Sequence, residues 1–221
     1  MVNISVDFSP ICINLCTGSC YAFSVIGALE GQHFLKTGQL VSFSVQNIID
    51  CSSNYGNAGC NGGHIYESFR YLKYGIASEQ SYPYEAIDGT CRFNASNIIS
   101  KCDEIFNVPK NEEILKQAVA IIGPIAVEFH ASPYFAHYKS GIFNDPHCSV
   151  FKTNHAVLIV GYGFDEKTNL DYWIVKNTFG VNWGDGGYFK LIRNSDNNCG
   201  IAENANYPYI KSNKKSNSDL V

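Results

Sequence analysis

Apolar residues recur at helical spacing in the first half of the chain and gather into short dense runs in the second. Across residues 20–35 they include Phe23, Ile26 and Leu29, which predicts a helix with one inward face. Ser44 stands where an N-cap is wanted for a helix over residues 45–50. Across residues 64–74, Ile65, Phe69 and Leu72 repeat on one side, and Gly75 supplies a residue suited to a left-handed C-terminal cap. Asn111 is placed to cap a further helix through Ile114, Leu115, Ala118 and Ile122, which Gly123-Pro124 must stop.

Beyond Pro124 the texture changes. Residues 125–129, 156–162, 171–176 and 187–192 are short runs rich in Val, Ile, Tyr and Trp, separated by Gly and Asn, and each predicts a strand. Helices in one segment and strands in another imply an α+β chain with two lobes, and a cleft between lobes is a common place for an active site. There is no internal repeat and no linker rich in Pro or Ser. The polar, lysine-rich residues 211–221 read as a frayed tail.

Composition narrows the class. With 16% charged, 14% aromatic and 45% hydrophobic residues, the chain is neither disordered nor a coiled coil. A net charge of −4 gives no basic field, so nucleic acid is not an expected partner. The longest apolar stretch, residues 118–127, is broken by Gly123-Pro124 and falls far short of the ~20 residues that span a bilayer, so no membrane partner is expected. Nine cysteines point to disulfides and an oxidising compartment, and an odd number leaves at least one thiol unpaired in a monomer. Residues 1–15 do not read as an export signal: they have no basic start, carry Asp7 and break at Pro10. Asn3-Ile4-Ser5 and Asn94-Ala95-Ser96 are glycosylation sequons that matter only in a secretory compartment.

The chemistry centres on Gly18-Ser19-Cys20-Tyr21-Ala22-Phe23-Ser24. Cys20 opens a helix, where the positive end of the helix dipole favours the thiolate, the form that attacks carbonyls. Taken alone, the segment suits a buried structural cysteine equally well. Two later segments shift the balance. Asn154-His155-Ala156-Val157-Leu158-Ile159 puts a histidine at the head of an apolar strand, and Trp173-Ile174-Val175-Lys176-Asn177 puts an asparagine at the tail of another.

Together with Gly59-Cys60-Asn61-Gly62-Gly63 and Asn182-Trp183-Gly184-Asp185-Gly186-Gly187-Tyr188, these segments resemble the papain-type cysteine peptidases, and the cathepsin L-like subgroup within them. The resemblance runs from about Cys20 to Ile210, and His155 follows Cys20 by 135 positions, inside the ~130–150 typical of that family. It implies a papain-like fold, a helical lobe and an antiparallel β-barrel lobe with the cleft between them. Residues 1–210 would form a single peptidase domain, with the helical lobe over about 10–110 and the β lobe over about 111–205.

The resemblance also implies roles. Cys20 would be the nucleophile, His155 its proton partner, and Asn177 the residue that holds the imidazole in a productive tautomer. Gly62 and Gly63 would form a wall along which an extended substrate pairs through its main chain. Ile65, Ala131 and Asn204 would line the pocket for P2, the second residue on the N-terminal side of the scissile bond, with His64 near its edge. Ile65 and Ala131 favour an apolar P2 side chain, and Asn204 adds a polar group at the pocket floor. Cys51–Cys91 and Cys148–Cys199 match family disulfides, and Cys16 would be the partner of Cys60. Cys12 and Cys102 are left without a role. No cofactor is implied. The expected partners are peptide or protein substrates and protein inhibitors of cysteine peptidases, the expected state is a monomer, and the expected location is lysosomal or secreted.

Several positions depart from the family pattern. The glutamine expected six residues before the nucleophile is Asn14, whose amide sits on an arm shorter by about one bond, ~1.5 Å. Losing one oxyanion donor typically costs ~10²–10³ in rate, so a weakened peptidase is expected, with the backbone N–H of Cys20 as the second donor. Tyr21 and Phe179 replace two usual tryptophans. Residues 1–17 match poorly, as they would after a wrongly assigned first exon. The family's inhibitory propeptide is not represented, and with it the folding aid and latency device. Cys12, Cys16 and Cys20 stand four apart, but a zinc or iron–sulfur site needs a fourth ligand, and no metal is expected. Two readings follow: an endopeptidase using Cys20, His155 and Asn177, or a catalytically silent homologue that binds peptides or inhibitors in the same cleft. Retention of all three catalytic residue types favours the first; the altered glutamine and N-terminal segment favour the second.

Overall fold

The computed structural model describes residues 16–211. Among these residues four α-helices form: α1 (Cys20–Thr37), α2 (Val45–Cys51), α3 (Ile65–Leu72) and α4 (Glu112–Ile122). The caps explain their limits. The Ser44 hydroxyl accepts from the Asn47 N–H at the start of α2, and the Asn111 side chain accepts from the N–H groups of both Glu113 and Ile114 at the start of α4. α4 stops at Gly123, whose φ of 99° leaves the helical region just before Pro124. α3 ends through Lys73 in right-handed geometry, and Gly75, at φ 126°, lies two residues further on, where its N–H donates to the Leu72 carbonyl at 3.2 Å and closes the turn that follows the helix.

α1 differs from the amphipathic helix expected. Tyr21, Ala22 and every residue from Ser24 to Gly31 are buried, so nearly its whole circumference is covered in this stretch. One side packs with α2 and α3; another meets the sheet, where Gly27 lets Leu158 approach so closely that an added Cβ would lie 2.6 Å from its Cδ2. Among the described residues, no helix is long and apolar enough to cross a membrane.

Among the described residues seven strands form one sheet: β1 (Glu104–Val108), β2 (Ile125–Phe129), β3 (Ile142–Phe143), β4 (His155–Asp165), β5 (Leu170–Lys176), β6 (Tyr188–Ile192) and β7 (Asn204–Tyr209), in the order β1-β7-β2-β4-β5-β6-β3. All neighbours are antiparallel except β3 and β6, a parallel pair in a lobe expected to be wholly antiparallel. β1 begins at Glu104, inside the segment expected to belong to the helical lobe, because its partner is β7 near the other end of the chain. β4 carries a bulge between Ile159 and Gly161.

Two apolar cores result. Val25, Ile26, Leu29, Ile48, Phe69 and Leu72 build the helical one, and Ala126, Ala156 and Leu158 enter it from one face of the sheet. Val127, Phe129, Val157, Trp173, Val175 and Phe189 build the other on the opposite face. This alternation along β2 and β4 sets α1 against the sheet and brings the start of α1 to the start of β4.

Candidate active site

The loop before α1 is fixed first. The Gly18 N–H donates to the Cys60 carbonyl at 3.0 Å, and a Cβ on Gly18 would lie 2.7 Å from both that oxygen and the Gly62 nitrogen, so only glycine fits. A disulfide between Cys16 and Cys60 ties the same two loops, with Cα atoms 4.4 Å apart. Ser19 turns its hydroxyl to the Cys16 carbonyl at 2.9 Å, and Cys20 follows as the first residue of α1. The Cys20 thiol lies outside the three disulfides and is partly exposed, and the peptide dipoles of an 18-residue helix favour its ionised form.

His155 and Asn177 come from adjacent strands. Nε2–H of His155 donates to Oδ1 of Asn177 at 2.8 Å, which leaves Nδ1 as the ring nitrogen able to exchange a proton. Asn177 is 7% exposed and is held by its own N–H to the Gly187 carbonyl at 2.9 Å. Phe179 stacks on the imidazole at 5.0 Å and 29°, and Phe129 and Phe135 flank it at 5.8 and 6.2 Å between ring centres. Withdrawal from water lowers the imidazole pKa, and the bond to Asn177 works in the opposite direction.

α1 is pinned to β4 by a bond buried between them. Ser24, one turn after Cys20, donates its hydroxyl to the carbonyl of Val157, two residues after His155, at 2.7 Å. The Cys20 end of the helix and the His155 end of the strand therefore share one end of the helix–sheet contact. Ser24 was not singled out in the sequence, since a serine within an apolar helix carries no signal of its own. Trp183 received no role there either. Its ring lies 4.8 Å from Phe135 and 5.4 Å from Phe179, and its indole N–H donates to the Ala136 carbonyl at 3.0 Å, so it backs the rings that cover His155.

The other expected residues are distributed unevenly. Gly62, at φ 123°, has nothing within 4 Å of an added Cβ and faces open space. Gly63 does not: a Cβ there would lie 2.5 Å from Asn57 Oδ1 and 2.8 Å from the Tyr21 ring, so its missing side chain makes room for packing. Tyr21 is 1% exposed, with its hydroxyl donating to the Gly59 carbonyl at 3.0 Å. Ile65 is 1% exposed within the helical core and offers almost no surface to a ligand. Ala131 and Asn154 exchange two hydrogen bonds, Ala131 N–H to Asn154 Oδ1 at 2.7 Å and Asn154 Nδ2 to the Ala131 carbonyl at 3.1 Å, beside His155. Asn204 is exposed and donates Nδ2 to Glu128 Oε2 at 2.9 Å. Asn14 and Cys12 lie outside the described residues.

Cys51–Cys91 and Cys148–Cys199 are bonded as well. Cys102 is fully buried, donates its thiol to the Glu104 carbonyl, and has its pKa pushed up to about 12 by burial, which keeps it protonated and inert. Among the described residues no group of three His, Cys, Asp or Glu side chains could hold a metal ion.

Comparison with known proteins matches residues 11–209 to the papain family cysteine proteases. Cathepsin L of Sarcophaga peregrina is 50% identical over 197 residues, which are 87% of this chain and 58% of that protein. Digestive procathepsin L 3 of the Tenebrio molitor larval midgut superposes with a TM-score of 0.85 at 46% identity, over 88% of this chain and 64% of that one. Bromelain protease of Ananas comosus, in complex with the E64 inhibitor, gives 0.80 at 36% identity, over 88% and 90%. The chain spans about three fifths of the length of the curated relatives it matches.

Proposed function

Since the chain belongs to the papain family of cysteine proteases, we propose that it is an endopeptidase that hydrolyses peptide bonds through an acyl-enzyme on Cys20. In this reading the Cys20 thiolate attacks the scissile carbonyl while His155, protonated, gives its proton to the leaving amine. Water then attacks the thioester, His155 accepts its proton, and the acid product leaves with the thiolate restored. Asn177 holds the ring by accepting from Nε2–H, so that Nδ1 is the nitrogen that trades protons in both steps. The backbone N–H of Cys20 and the short amide arm of Asn14 serve the oxyanion, and the rate is reduced accordingly. Ala131 gives the P2 pocket an apolar wall, so a P2 residue with an apolar stem is favoured. Gly62 offers main-chain pairing to an extended substrate. Three disulfides fit a lysosomal or secreted location. Peptides, protein substrates and protein inhibitors are the partners of such a cleft, and the chain acts as a monomer.

The observation that carries the reading is the 2.8 Å His155–Asn177 bond at the end of the sheet where Ser24 and Val157 tie in the helix that begins at Cys20. Turnover of a fluorogenic dipeptide with leucine or phenylalanine at P2, in mildly acidic buffer with a reductant, should be lost in Cys20→Ala. Equal signal from the two folded proteins would reject the peptidase and leave the cleft as a binding site.

A further inference from the structure

Strand β2 reads Ile125-Ala126-Val127-Glu128-Phe129, a charge inside an otherwise apolar strand. Ile125, Val127 and Phe129 point into the sheet core, and Ala126 points into the helical core, so strand alternation puts Glu128 on the face of the sheet that meets the helices. Its cross-strand neighbours on that face are Asn204 of β7 on one side and Ala156 of β4 on the other. Ala156 directly follows His155. The carboxylate therefore sits one strand over from the imidazole, half-buried at the margin of the face that Ala126, Ala156 and Leu158 present to the helices.

Two groups orient it. Thr153, two residues before His155, donates its hydroxyl to Glu128 Oε2 at 3.0 Å, and Asn204 donates Nδ2 to the same oxygen at 2.9 Å. Oε1 has no hydrogen-bond partner among the described residues, and no basic side chain forms an ion pair with Glu128 among them. Ala156 is too small to cover it. A half-buried carboxylate that is held in place, uncompensated by any cation and close to the reacting groups is arranged to receive a cation from elsewhere.

We propose that Glu128 is a specificity residue that binds the guanidinium or ammonium group of an arginine or lysine at P2. The proposal rests on the peptidase reading above for the placement of the substrate chain and extends it to the class of side chain selected. Arginine and lysine suit such a site: an apolar methylene stem carries a charged end able to reach the Glu128 oxygen that Thr153 and Asn204 leave open. Asn204, expected to be a lone polar group on the pocket floor, becomes a positioning residue for the carboxylate.

The test compares two fluorogenic dipeptides that differ only in arginine or leucine at P2, on the full chain and on its Glu128→Gln variant. The ratio of kcat/KM for the arginine over the leucine substrate should fall about tenfold or more in the variant, while the leucine substrate changes less than about twofold. Raising the salt concentration should weaken the arginine substrate alone. An unchanged ratio, or an equal loss for both substrates, would overturn the proposal and leave Glu128 a structural group. The same two peptides, labelled for fluorescence anisotropy, should bind Cys20→Ala with the same dependence on Glu128. If neither substrate is turned over but the arginine peptide still loses affinity with Glu128→Gln, the peptidase reading fails and the cation site stands. If leucine is turned over and neither assay responds to Glu128, the site fails and the peptidase reading stands.

Discussion

The two halves of the molecule are held by different means. The sheet half relies on its backbone: β4 pairs with β2 on one side and β5 on the other, β5 pairs with β6, and the apolar residues between need only fit. The helical half has one 18-residue helix, two short ones, long loops and side chains in place of a ladder. Asn57 donates to the hydroxyls of Ser52 and Ser68 and accepts from the His64 N–H. Asn47 donates to the Tyr71 hydroxyl and accepts from the Ala77 N–H. Gln46 reaches both Asp50 and the Ile87 carbonyl. Two of the three disulfides among the described residues are here as well. The half that carries Cys20 thus depends on individual polar residues and covalent ties, and the half that carries His155 and Asn177 depends on regular pairing.

The strongest way to break this comparison is to remove one disulfide from each half. Cys16–Cys60 closes a sequence separation of 44 residues and Cys148–Cys199 one of 51, so chain entropy alone predicts nearly the same loss for each, about 4 kcal/mol. The consequences for the site should differ. A Cys16→Ala/Cys60→Ala variant loosens the loop that sets the start of α1, and its turnover should fall even where it remains folded. Cys148→Ala/Cys199→Ala should lose comparable stability in urea while keeping its turnover below the transition. Equal effects on turnover would mean that the loop before Cys20 needs no covalent tie.

The same contrast explains what could be read in the sequence. Strands with two neighbours and a buried face announce themselves, and β2, β5 and β6 fall within a residue of the runs that predict them. β1 and β7 escape notice. β1 is an edge strand with most of its residues exposed, so its pattern does not alternate. β7 contains Pro208, which argues against a strand; it is tolerated because β7 pairs with β2 only over Asn204 to Asn206, and Pro208 has a neighbour on one side alone. Cys20, His155 and Asn177 could be picked out as candidates because motif and order are local properties. The surroundings of Ile65 and Glu128 could not, since the burial of Ile65 and the reach of Glu128 to Thr153 and Asn204 exist only after residues 25 and more positions apart are packed together.

A smaller effect sharpens the role of α1 between the halves. Glu30 is 1% exposed; its Oε1 accepts from the Phe43 N–H at 2.9 Å, and its Oε2 has no partner among the described residues. Burial raises its pKa from 4.5 to about 8, against the opposing bond from Phe43 and the charge of Lys176. A carboxyl whose folded value lies above its unfolded one stabilises the fold fully below the unfolded value and loses that contribution as the pH rises through about 8. The chain should therefore be more stable in acid than in mild base. Glu30→Gln should flatten this slope, gaining on the order of 2 kcal/mol relative to the parent in mild base and little in acid. Thermal melts across that range read the difference. A parent and variant whose melting temperatures run parallel with pH would show that Glu30 ionises without cost to the fold.

The smallest change is a single proton, and it asks whether the two halves act as one site. Burial alone lowers the His155 pKa, and Asn177 offsets this only in part, so the surroundings of the ring oppose an imidazolium. Catalysis as proposed needs that imidazolium at rest, beside a thiolate. An anion beside the ring supplies the missing stabilisation, and in the proposed mechanism that anion is the Cys20 thiolate at the start of α1. In Cys20→Ala, the His155 ring followed by NMR should titrate below the ordinary imidazole range. In the parent it should stay protonated to higher pH and lose its proton only as the pair is neutralised, because the two groups titrate together. Finding the ring low in both proteins would mean that the thiol gives no charge to the histidine. The sheet half would then hold a neutral base that waits for substrate, and the 2.8 Å bond to Asn177 would fix its tautomer without any ion pair to orient.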